Sequence, residues 1–164
     1  MEIAHRIKNN IFLDNRGSFS PLSLNLLDKD WLQSNISVNP NKWTVRGLHF
    51  QKGVYSQAKL IKVIQGRILD FVLDMRIDGD GDLQFFEMYP GDEIYVPREY
   101  AHGFITLEEN TVVQYLVDNE YNPPSEGSLV WTSFPEISKE ILKIDSSFNK
   151  DSVIISDKDL IEKI

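Results

Sequence analysis

The 164-residue sequence predicts an all-β fold in which antiparallel strands form a sandwich or a barrel. Short apolar stretches recur at regular spacing from Trp43 onward, polar turns separate them, and helical periodicity is rare. The hydrophobic fraction of 41% and the charged fraction of 26% are ordinary for a globular protein. This length, without an internal repeat or a low-complexity segment, fits a single domain over residues 1–164.

The N-terminal part of the chain carries the weakest strand signals. Two short apolar stretches lie on either side of a polar turn at residues 14–19, where Gly17 can supply a positive φ. The stretch from Leu24 to Leu32 is the best candidate for an early helix, and residues 33–37 are predicted to form an edge strand or a loop. The residues Asn39-Pro40-Asn41 predict a turn.

The clearest local structure is a β-hairpin in the middle of the chain. An apolar stretch at residues 60–64 is followed by Gln65-Gly66 and by a second stretch at 67–75, and such a two-residue turn is typical of a hairpin. Alternation along the second strand predicts one face made of Leu69, Phe71 and Leu73. The opposite face then carries Ile68, Asp70, Val72 and Asp74.

Four further strands are predicted after the acidic turn at residues 77–82. They are Leu83 to Met88, Glu93 to Val96, Gly103 to Leu107 and Thr111 to Val117. After Trp131 the pattern weakens, with apolar stretches at 137–144 and 153–155 and a short C-terminal helix that begins near Ser156. The chain is therefore expected to have short helices only near its two ends.

The net charge of -8 at pH 7 makes several classes of partner unfavourable. A field of this sign repels nucleic acid and anionic membranes, so we expect neither as a partner, whereas an anionic small molecule needs a local cluster of Arg and Lys. The chain has no cysteine, and residues 1–6 and later segments contain no apolar run typical of a signal peptide or a membrane span. These features predict a soluble, cytoplasmic protein.

The stretch from Val45 to Gln51, VRGLHFQ, brings together a cation, a glycine, a histidine and an amide. If this stretch is a strand, Arg46, Leu48 and Phe50 share one face and His49 lies on the other. Histidine is the side chain best suited to proton transfer near neutral pH, so His49 is a candidate general base. A histidine that is merely hydrogen-bonded inside the fold is the alternative interpretation.

Metal binding is disfavoured by the residue types around His49. Two positions further on the chain has Gln51, an amide, rather than a second imidazole, and the other histidine of interest, His102, lies in a later segment. Two histidines without a third nearby ligand are a weak metal signal, and we therefore expect no metal site.

Acid–base chemistry fits the available side chains better than metal chemistry. Asp70 lies in an apolar strand, where a carboxylate is costly unless it is paired, and a histidine partner would offset that cost. Lys59 immediately precedes an apolar strand and is a candidate for stabilising a developing oxyanion. Tyr115 shares a predicted face with Val113 and Val117 and is either a core residue or an acid.

Taken together, these motifs resemble those of the dTDP-4-dehydrorhamnose 3,5-epimerases, cofactor-free enzymes with a cupin-type jelly-roll fold. The resemblance covers nearly the whole chain and rests on segments whose order and spacing match the family. These segments are DNRG at 14–17, RGLHFQ at 46–51, AKLIKV at 58–63, GRILDFVLDMR at 66–76, YVPREYAHGF at 95–104, QYLVDNEYNPPSEGSLVW at 114–131 and SDKD at 156–159.

The resemblance implies a role for each matching residue. His49 is expected to be the base, Tyr115 the acid on the opposite face, Lys59 the group that steadies the enolate, and Asp159 the carboxylate paired with the histidine. Arg16 and Arg46 are expected to hold a diphosphate. The remaining expected substrate-binding residues are Phe19, Gln33, Asn35, Gln51, Asp70, His102, Tyr121 and Glu126.

The same resemblance implies a dTDP-linked 4-keto-6-deoxy sugar as substrate, no cofactor, and a homodimer in which Gln33 and Asn35 reach the neighbouring subunit's site. Ser18 to Pro21 and Ile36 depart from the family pattern, which leaves the nucleotide and the sugar open. Asp159 also fits a helix cap that begins at Ser156, with Asp157 as the alternative site carboxylate. A non-catalytic sugar-binding cupin and an epimerase that inverts only one centre remain alternative functions.

Overall fold

Two five-stranded antiparallel sheets face each other and form the sandwich that the sequence predicts. The structure is a computed structural model and describes residues 2–8, 10–15, 17–22, 24, 28–76 and 81–164. Its strands in chain order are β1 (His5–Ile7), β2 (Phe12–Asp14), β3 (Gly17–Phe19), β4 (Gln33–Asn39), β5 (Val45–Gln51), β6 (Lys59–Gln65), β7 (Ile68–Asp74), β8 (Leu83–Met88), β9 (Glu93–Val96), β10 (Tyr100–Thr106), β11 (Thr111–Val117) and β12 (Glu126–Ser128).

The first sheet has the order β1-β9-β6-β11-β4, and the second has the order β12-β5-β10-β7-β8. From β4 to β7 and again from β8 to β12, every connection carries the chain from one sheet to the other. This crossing is the jelly-roll arrangement, and it places residues that are distant in sequence opposite one another across the sandwich. Strands β2 and β3 form a separate two-stranded hairpin.

Strand β7 confirms the alternation predicted from the sequence. Ile68 and Val72 lie between the two sheets, in a core cluster that also contains Ile61 of β6 and Val113 of β11. Leu69, Phe71 and Leu73 lie on the opposite face of the second sheet, in a second cluster. Asp70 therefore belongs to the inner face, where its side chain is fully buried.

The second cluster is covered by a helix, α1 (Pro135–Ile144), that the sequence analysis left unassigned. Ile137 and Ile141 are buried on its inner face and pack with Trp43 and Trp131. The sequence does carry the signal, because isoleucines recur at positions 137, 141 and 144 and proline occupies the first turn. Short 3-10 turns occur at Gly53–Tyr55, Pro123–Ser125, Trp131–Ser133, Lys150–Ser152 and Asp157–Leu160.

The helix predicted from Leu24 to Leu32 is not formed over its described C-terminal part, residues 28–32. Residues 25–27 lie outside the described part of the chain. Asp28 has a φ of 44°, which is incompatible with a right-handed helix, and the Leu32 N–H donates to the Val117 carbonyl at 2.8 Å. The chain at this point is thus already paired with β11 of the first sheet, just before β4 begins.

The C-terminal segment is attached to the second sheet at two points. Ile154 forms a parallel bridge with Thr44, and Lys163 forms an antiparallel bridge with Ser128. The 3-10 turn Asp157–Leu160 lies between these bridges, close to the predicted C-terminal helix, but Ser156 makes no side-chain cap hydrogen bond. No helix in the described part of the chain is long and apolar enough to cross a membrane.

Candidate active site

A cavity of about 590 Å³ opens between the two sheets, next to the apolar cluster that fills the rest of the sandwich. The second sheet contributes side chains of β5, β10 and β12, and the first sheet contributes side chains of β6 and β11. The C-terminal segment closes one side. The lining residues are Thr44, Val45, Arg46, His49, Lys59, His102, Phe104, Val113, Tyr115, Tyr121, Glu126, Ile154, Ile155, Ser156, Lys158 and Asp159.

Strand β5 carries an irregularity that brings Arg46 and His49 to the same cavity. Strict alternation placed them on opposite faces, and this prediction was wrong. His49 pairs with His102 and Arg46 with Phe104, so β5 has one residue more than β10 between the two pairs. Gly47 allows this because its φ is 99° and a Cβ there would lie 2.5 Å from the His102 carbonyl oxygen.

His49 and Asp159 form the first of two histidine–carboxylate pairs. Nε2 of the half-buried His49 lies 2.7 Å from Oδ1 of Asp159, and Oδ2 of Asp159 accepts the Gly47 N–H at 3.2 Å. Burial raises the pKa of Asp159, but the hydrogen bonds and charge of its partners outweigh burial and hold the pKa below the usual aspartate value. Asp159 is thus held as a carboxylate and fixes the imidazole through Nε2.

This contact also distinguishes the two carboxylates that the sequence left open. Asp159 is 3% exposed and lies against His49, whereas Asp157 is exposed in the same 3-10 turn. Because Ser156 caps nothing with its side chain, the geometry favours a site position for Asp159 over a role in capping a helix.

His102 and Asp70 form the second pair, and it lies deeper in the sandwich. Nε2 of His102 is 2.8 Å from Oδ2 of Asp70, while Oδ1 of Asp70 has no hydrogen-bond partner among the described residues. Burial raises the pKa of Asp70 and lowers the pKa of His102, although the attraction between the two groups opposes both shifts. Asp70 itself does not line the cavity, and it was the alternation in β7 that identified it.

Lys59 stands at the start of β6, on the opposite sheet from the two histidines. Its ammonium donates to the His49 carbonyl oxygen at 3.4 Å. Burial lowers the pKa of Lys59 to about 8, and the charges of Asp70 and Glu126 oppose that change. An ammonium with this environment can stabilise a negative oxygen and still exchange its proton near neutral pH.

Tyr115 lies on β11 of the first sheet and faces the histidines across the cavity. It packs against the inter-sheet core together with Val113, as the alternation in this strand predicted. Burial raises the pKa of Tyr115, and the nearby charge of Arg46 opposes the change, so its hydroxyl keeps its proton at neutral pH. A proton donor and an imidazole are therefore presented from facing sheets.

The mouth of the cavity carries Tyr121, which is 57% exposed, and Glu126. The Tyr121 hydroxyl donates to Oε2 of Glu126 at 3.1 Å. Gln51 was predicted to bind substrate, but it does not line the cavity. Its amide donates to the carbonyls of Tyr55 and Glu120 and accepts the N–H of Asn122, so it holds the loop that carries Tyr121.

Three further predicted substrate-binding residues that the structure describes, Phe19, Gln33 and Asn35, do not line this cavity. Phe19 is 65% exposed in the β2–β3 hairpin, and Arg16 lies outside the described residues. Gln33 and Asn35 lie on β4, and the Gln33 amide donates to Asn35 at 2.6 Å. Lys158 and Ser156 of the C-terminal segment and Phe104 of β10 also line the cavity and were not predicted, because no local pattern in the sequence brings these segments together.

The possible metal ligands among the described residues do not gather into one site. Within the described ranges, no three or more His, Cys, Asp or Glu side chains are placed to hold one ion. Each histidine at the cavity instead has a single carboxylate partner. This is the arrangement of a proton-transfer site, in which a carboxylate orients an imidazole.

An enclosed acid–base site between two jelly-roll sheets defines the class of protein, and comparison with known proteins identifies the family. The family model described as dTDP-4-dehydrorhamnose 3,5-epimerase matches residues 2–163, and the chain belongs to this family of isomerases. The relative of that name from Sinorhizobium fredii is 33% identical over 130 residues, covering 73% of this chain and 67% of that protein.

Two solved structures of the family extend the likeness to the fold. The dTDP-4-dehydrorhamnose 3,5-epimerase of Bacillus anthracis, with TDP and PPi bound, is 31% identical, has a TM-score of 0.81 and covers 98% of this chain and 93% of its own. The Legionella pneumophila dTDP-6-deoxy-D-glucose-3,5-epimerase, in complex with dTDP-4-keto-L-rhamnose, is 25% identical, has a TM-score of 0.80 and covers 98% and 87%.

Proposed function

We propose that this protein epimerises a nucleotide-diphosphate 4-keto-6-deoxy sugar, most simply dTDP-4-dehydro-6-deoxyglucose, at C3, C5 or both. One observation carries the proposal: His49 and Tyr115 face the same cavity from opposite sheets. A carbon centre is inverted when a base removes its proton on one face and an acid returns a proton on the other. The ligands of the solved relatives, TDP and dTDP-4-keto-L-rhamnose, support the substrate class.

In this mechanism the C4 keto group acidifies the neighbouring C–H bonds, so no cofactor is required. Nδ1 of His49 takes the proton, and Asp159 holds the imidazole through Nε2 and stabilises its charged form. The negative charge passes to the keto oxygen, where the Lys59 ammonium stabilises the enolate. The Tyr115 hydroxyl then protonates the carbon from the other face, while Arg46 holds the diphosphate and Tyr121 stacks on the nucleobase.

The test is solvent exchange followed at each carbon. Purified enzyme is incubated with dTDP-4-keto-6-deoxyglucose in D2O, and deuterium and configuration at C3 and C5 are followed by NMR. Deuterium together with inversion at either centre supports the proposal, and the pattern shows which centres react. Tight binding of the sugar nucleotide without any exchange would instead indicate a non-catalytic binding protein.

A change of Tyr115 to Phe separates the acid from the base. The variant keeps most of the packing but lacks the hydroxyl, so His49 is still able to remove the proton. We expect deuterium to enter the substrate while its original configuration is retained. Inversion at the wild-type rate in this variant would remove Tyr115 from the mechanism.

We also propose that the chain acts as a homodimer whose interface covers the outer face of the first sheet. Ile36 and Val38 of β4 are 67% and 60% exposed there, and the β2–β3 hairpin exposes Phe12, Leu13 and Phe19. A second copy would bury this surface and bring in Gln33, Asn35 and Phe19, which do not line this chain's own cavity. Light scattering should give twice 18.9 kDa, and Ile36→Lys should shift the mass towards the monomer.

A further inference from the structure

Arg46 is held differently from the other arginines in the described part of the chain. Arg6, Arg67, Arg76 and Arg98 each pair with a carboxylate, whereas the only side-chain hydrogen bond of Arg46 to a described residue is made to a neutral amide. Nε of Arg46 donates to Oδ1 of Asn39 at 2.8 Å. In a chain with 25 acidic residues, this guanidinium lines the cavity without forming an ion pair with any described carboxylate.

Asn39 itself is locked in one orientation. It is fully buried at the end of β4, and its Nδ2 donates to the backbone carbonyls of Thr111 at 3.1 Å and Ser37 at 3.4 Å. With the amide nitrogen committed to these acceptors, Oδ1 faces Arg46 and also accepts the Ser37 hydroxyl at 3.2 Å. The amide thus joins β4 of the first sheet to β5 of the second through a contact that cannot flip without losing hydrogen bonds.

We propose that Asn39 is a positioning residue, which orients the Arg46 guanidinium for anion binding without neutralising it. Because Nε is occupied by Asn39, the N–H groups of Nη1 and Nη2 remain as the pair that can grip two oxygens of one phosphate. A carboxylate at position 39 could still accept the Nε hydrogen bond, but it would lose the donor to the Thr111 and Ser37 carbonyls and would compete with the substrate for the charge of Arg46. The inference rests on the proposed function, since the anion is the diphosphate of the sugar nucleotide.

The test is a double-mutant cycle on the affinity for dTDP, measured by calorimetry with the wild type, Asn39→Ala, Arg46→Ala and the double variant. Loss of the orienting hydrogen bond should weaken dTDP binding about tenfold in the wild-type background. The same Asn39→Ala change should have almost no effect once Arg46 is absent, since its action passes through the guanidinium. Kinetically, KM should rise while kcat changes little.

Asn39→Asp distinguishes orientation from charge. This variant keeps the size of the side chain but places a negative group beside Arg46, so we expect a larger loss of dTDP affinity than in Asn39→Ala. If Asn39→Ala does not fold, as judged by circular dichroism, Asn39→Asp carries the same cycle with Arg46→Ala. Gln114→Ala is the matched control, because Gln114 makes its hydrogen bond to Ser34 on the outer face of the same strand pair.

The outcomes separate this inference from the function on which it rests. An equal loss of dTDP affinity with and without Arg46, or no loss at all, would overturn the role of Asn39 while leaving the proposed function intact. A wild-type protein that binds neither dTDP nor inorganic pyrophosphate would overturn both.

Discussion

Two histidine–aspartate pairs of nearly equal length, 2.7 Å and 2.8 Å, differ in how their aspartates are held. Asp159 uses both oxygens, one for His49 and one for the Gly47 N–H, and His49 retains 27% of its side-chain exposure. Asp70 uses only one oxygen, for His102, and its other oxygen is buried without a partner among the described residues. The same two residue types thus occur in two environments, which differ in the number of hydrogen bonds that the aspartate accepts.

The difference shows that burial and additional donors, more than the pair distance, decide what each pair can do. Two donors hold the pKa of Asp159 below the usual value, so this carboxylate stays charged and can stabilise an imidazolium. Burial raises the pKa of Asp70 and lowers that of His102, which disfavours a charged imidazolium beside Asp70. The first pair suits a base that gains and loses a proton, and the second suits a neutral hydrogen-bond donor.

The largest expected effect separates the two histidines. His49→Asn should reduce deuterium exchange at C3 and C5 by about 10³–10⁴-fold, because no other described histidine at the cavity is paired with a carboxylate whose pKa is lowered. His102→Asn is the matched variant and should retain exchange within about tenfold. Exchange rates are measured by NMR in D2O. A larger loss in His102→Asn than in His49→Asn would contradict the assignment of the base to the first pair.

A smaller loss is expected from the aspartate of the first pair. In Asp159→Asn the amide no longer stabilises the charged imidazole and also permits the wrong tautomer, so kcat should fall about 10²-fold. Asp157→Asn changes an exposed neighbour in the same turn and should stay within about twofold of the wild type. Similar losses in both variants, measured as initial rates, would mean that the negative charge of the segment matters and the contact does not.

The sequence predicted the inner position of Asp70, because the alternation in β7 extends without interruption. The same rule failed in β5, where the extra residue at Gly47 rotates the strand and brings Arg46 beside His49. A bulge of this kind is set by the approach of β10, whose carbonyl at His102 leaves no room for a side chain at position 47. Strand pairing between distant segments is invisible to local periodicity.

The choice between Asp157 and Asp159 was equally beyond sequence patterns. Both residues fit a helix start after Ser156, and only a contact across 110 positions of sequence separates them. Gln51 shows the opposite case, since its place in a characteristic motif predicted a substrate ligand, whereas its side chain bonds to the Tyr55 carbonyl and to the two neighbours of Tyr121, Glu120 and Asn122. A sequence motif can identify an important residue, but the hydrogen-bond partners of that residue in the fold determine its role.

The pH dependence of activity offers a third, smaller effect. Lys59 must be protonated to stabilise the enolate, so kcat/KM should fall as the pH rises through its pKa of about 8, by about tenfold at one unit above it. Asp70 supports the charge of Lys59, and Asp70→Asn should move this decline to lower pH. Lys59→Arg should move the decline to higher pH. A pH–rate profile unchanged in Lys59→Arg would assign the decline to another group.

The smallest effect concerns the stability of the buried pair. The raised pKa of Asp70 means that the folded chain binds more protons at this residue than the unfolded chain does above the usual aspartate value. Its contribution to stability therefore decreases as the pH rises through that window, and an asparagine cannot contribute this decrease. The lowered pKa of His102 acts in the opposite direction, because the unfolded chain binds more protons there below pH 6.5.

In Asp70→Asn both changes have the same sign. The decrease due to Asp70 disappears, and His102, without its carboxylate, binds a proton even less readily in the folded state. The stability of Asp70→Asn relative to the wild type should therefore rise as the pH increases from the usual aspartate pKa towards the usual histidine pKa. Thermal unfolding across this range measures the change in stability, with Asp159→Asn as the contrasting variant.

Asp159 has a lowered pKa, so its contribution to stability is present above the usual aspartate pKa and is lost only as the pH falls through the lower folded value. If the stability of Asp70→Asn and that of the wild type changed with pH in the same way, the Asp70 carboxylate would be held in the fold as well as that of Asp159. The difference between the two pairs that their geometry indicates would then be wrong.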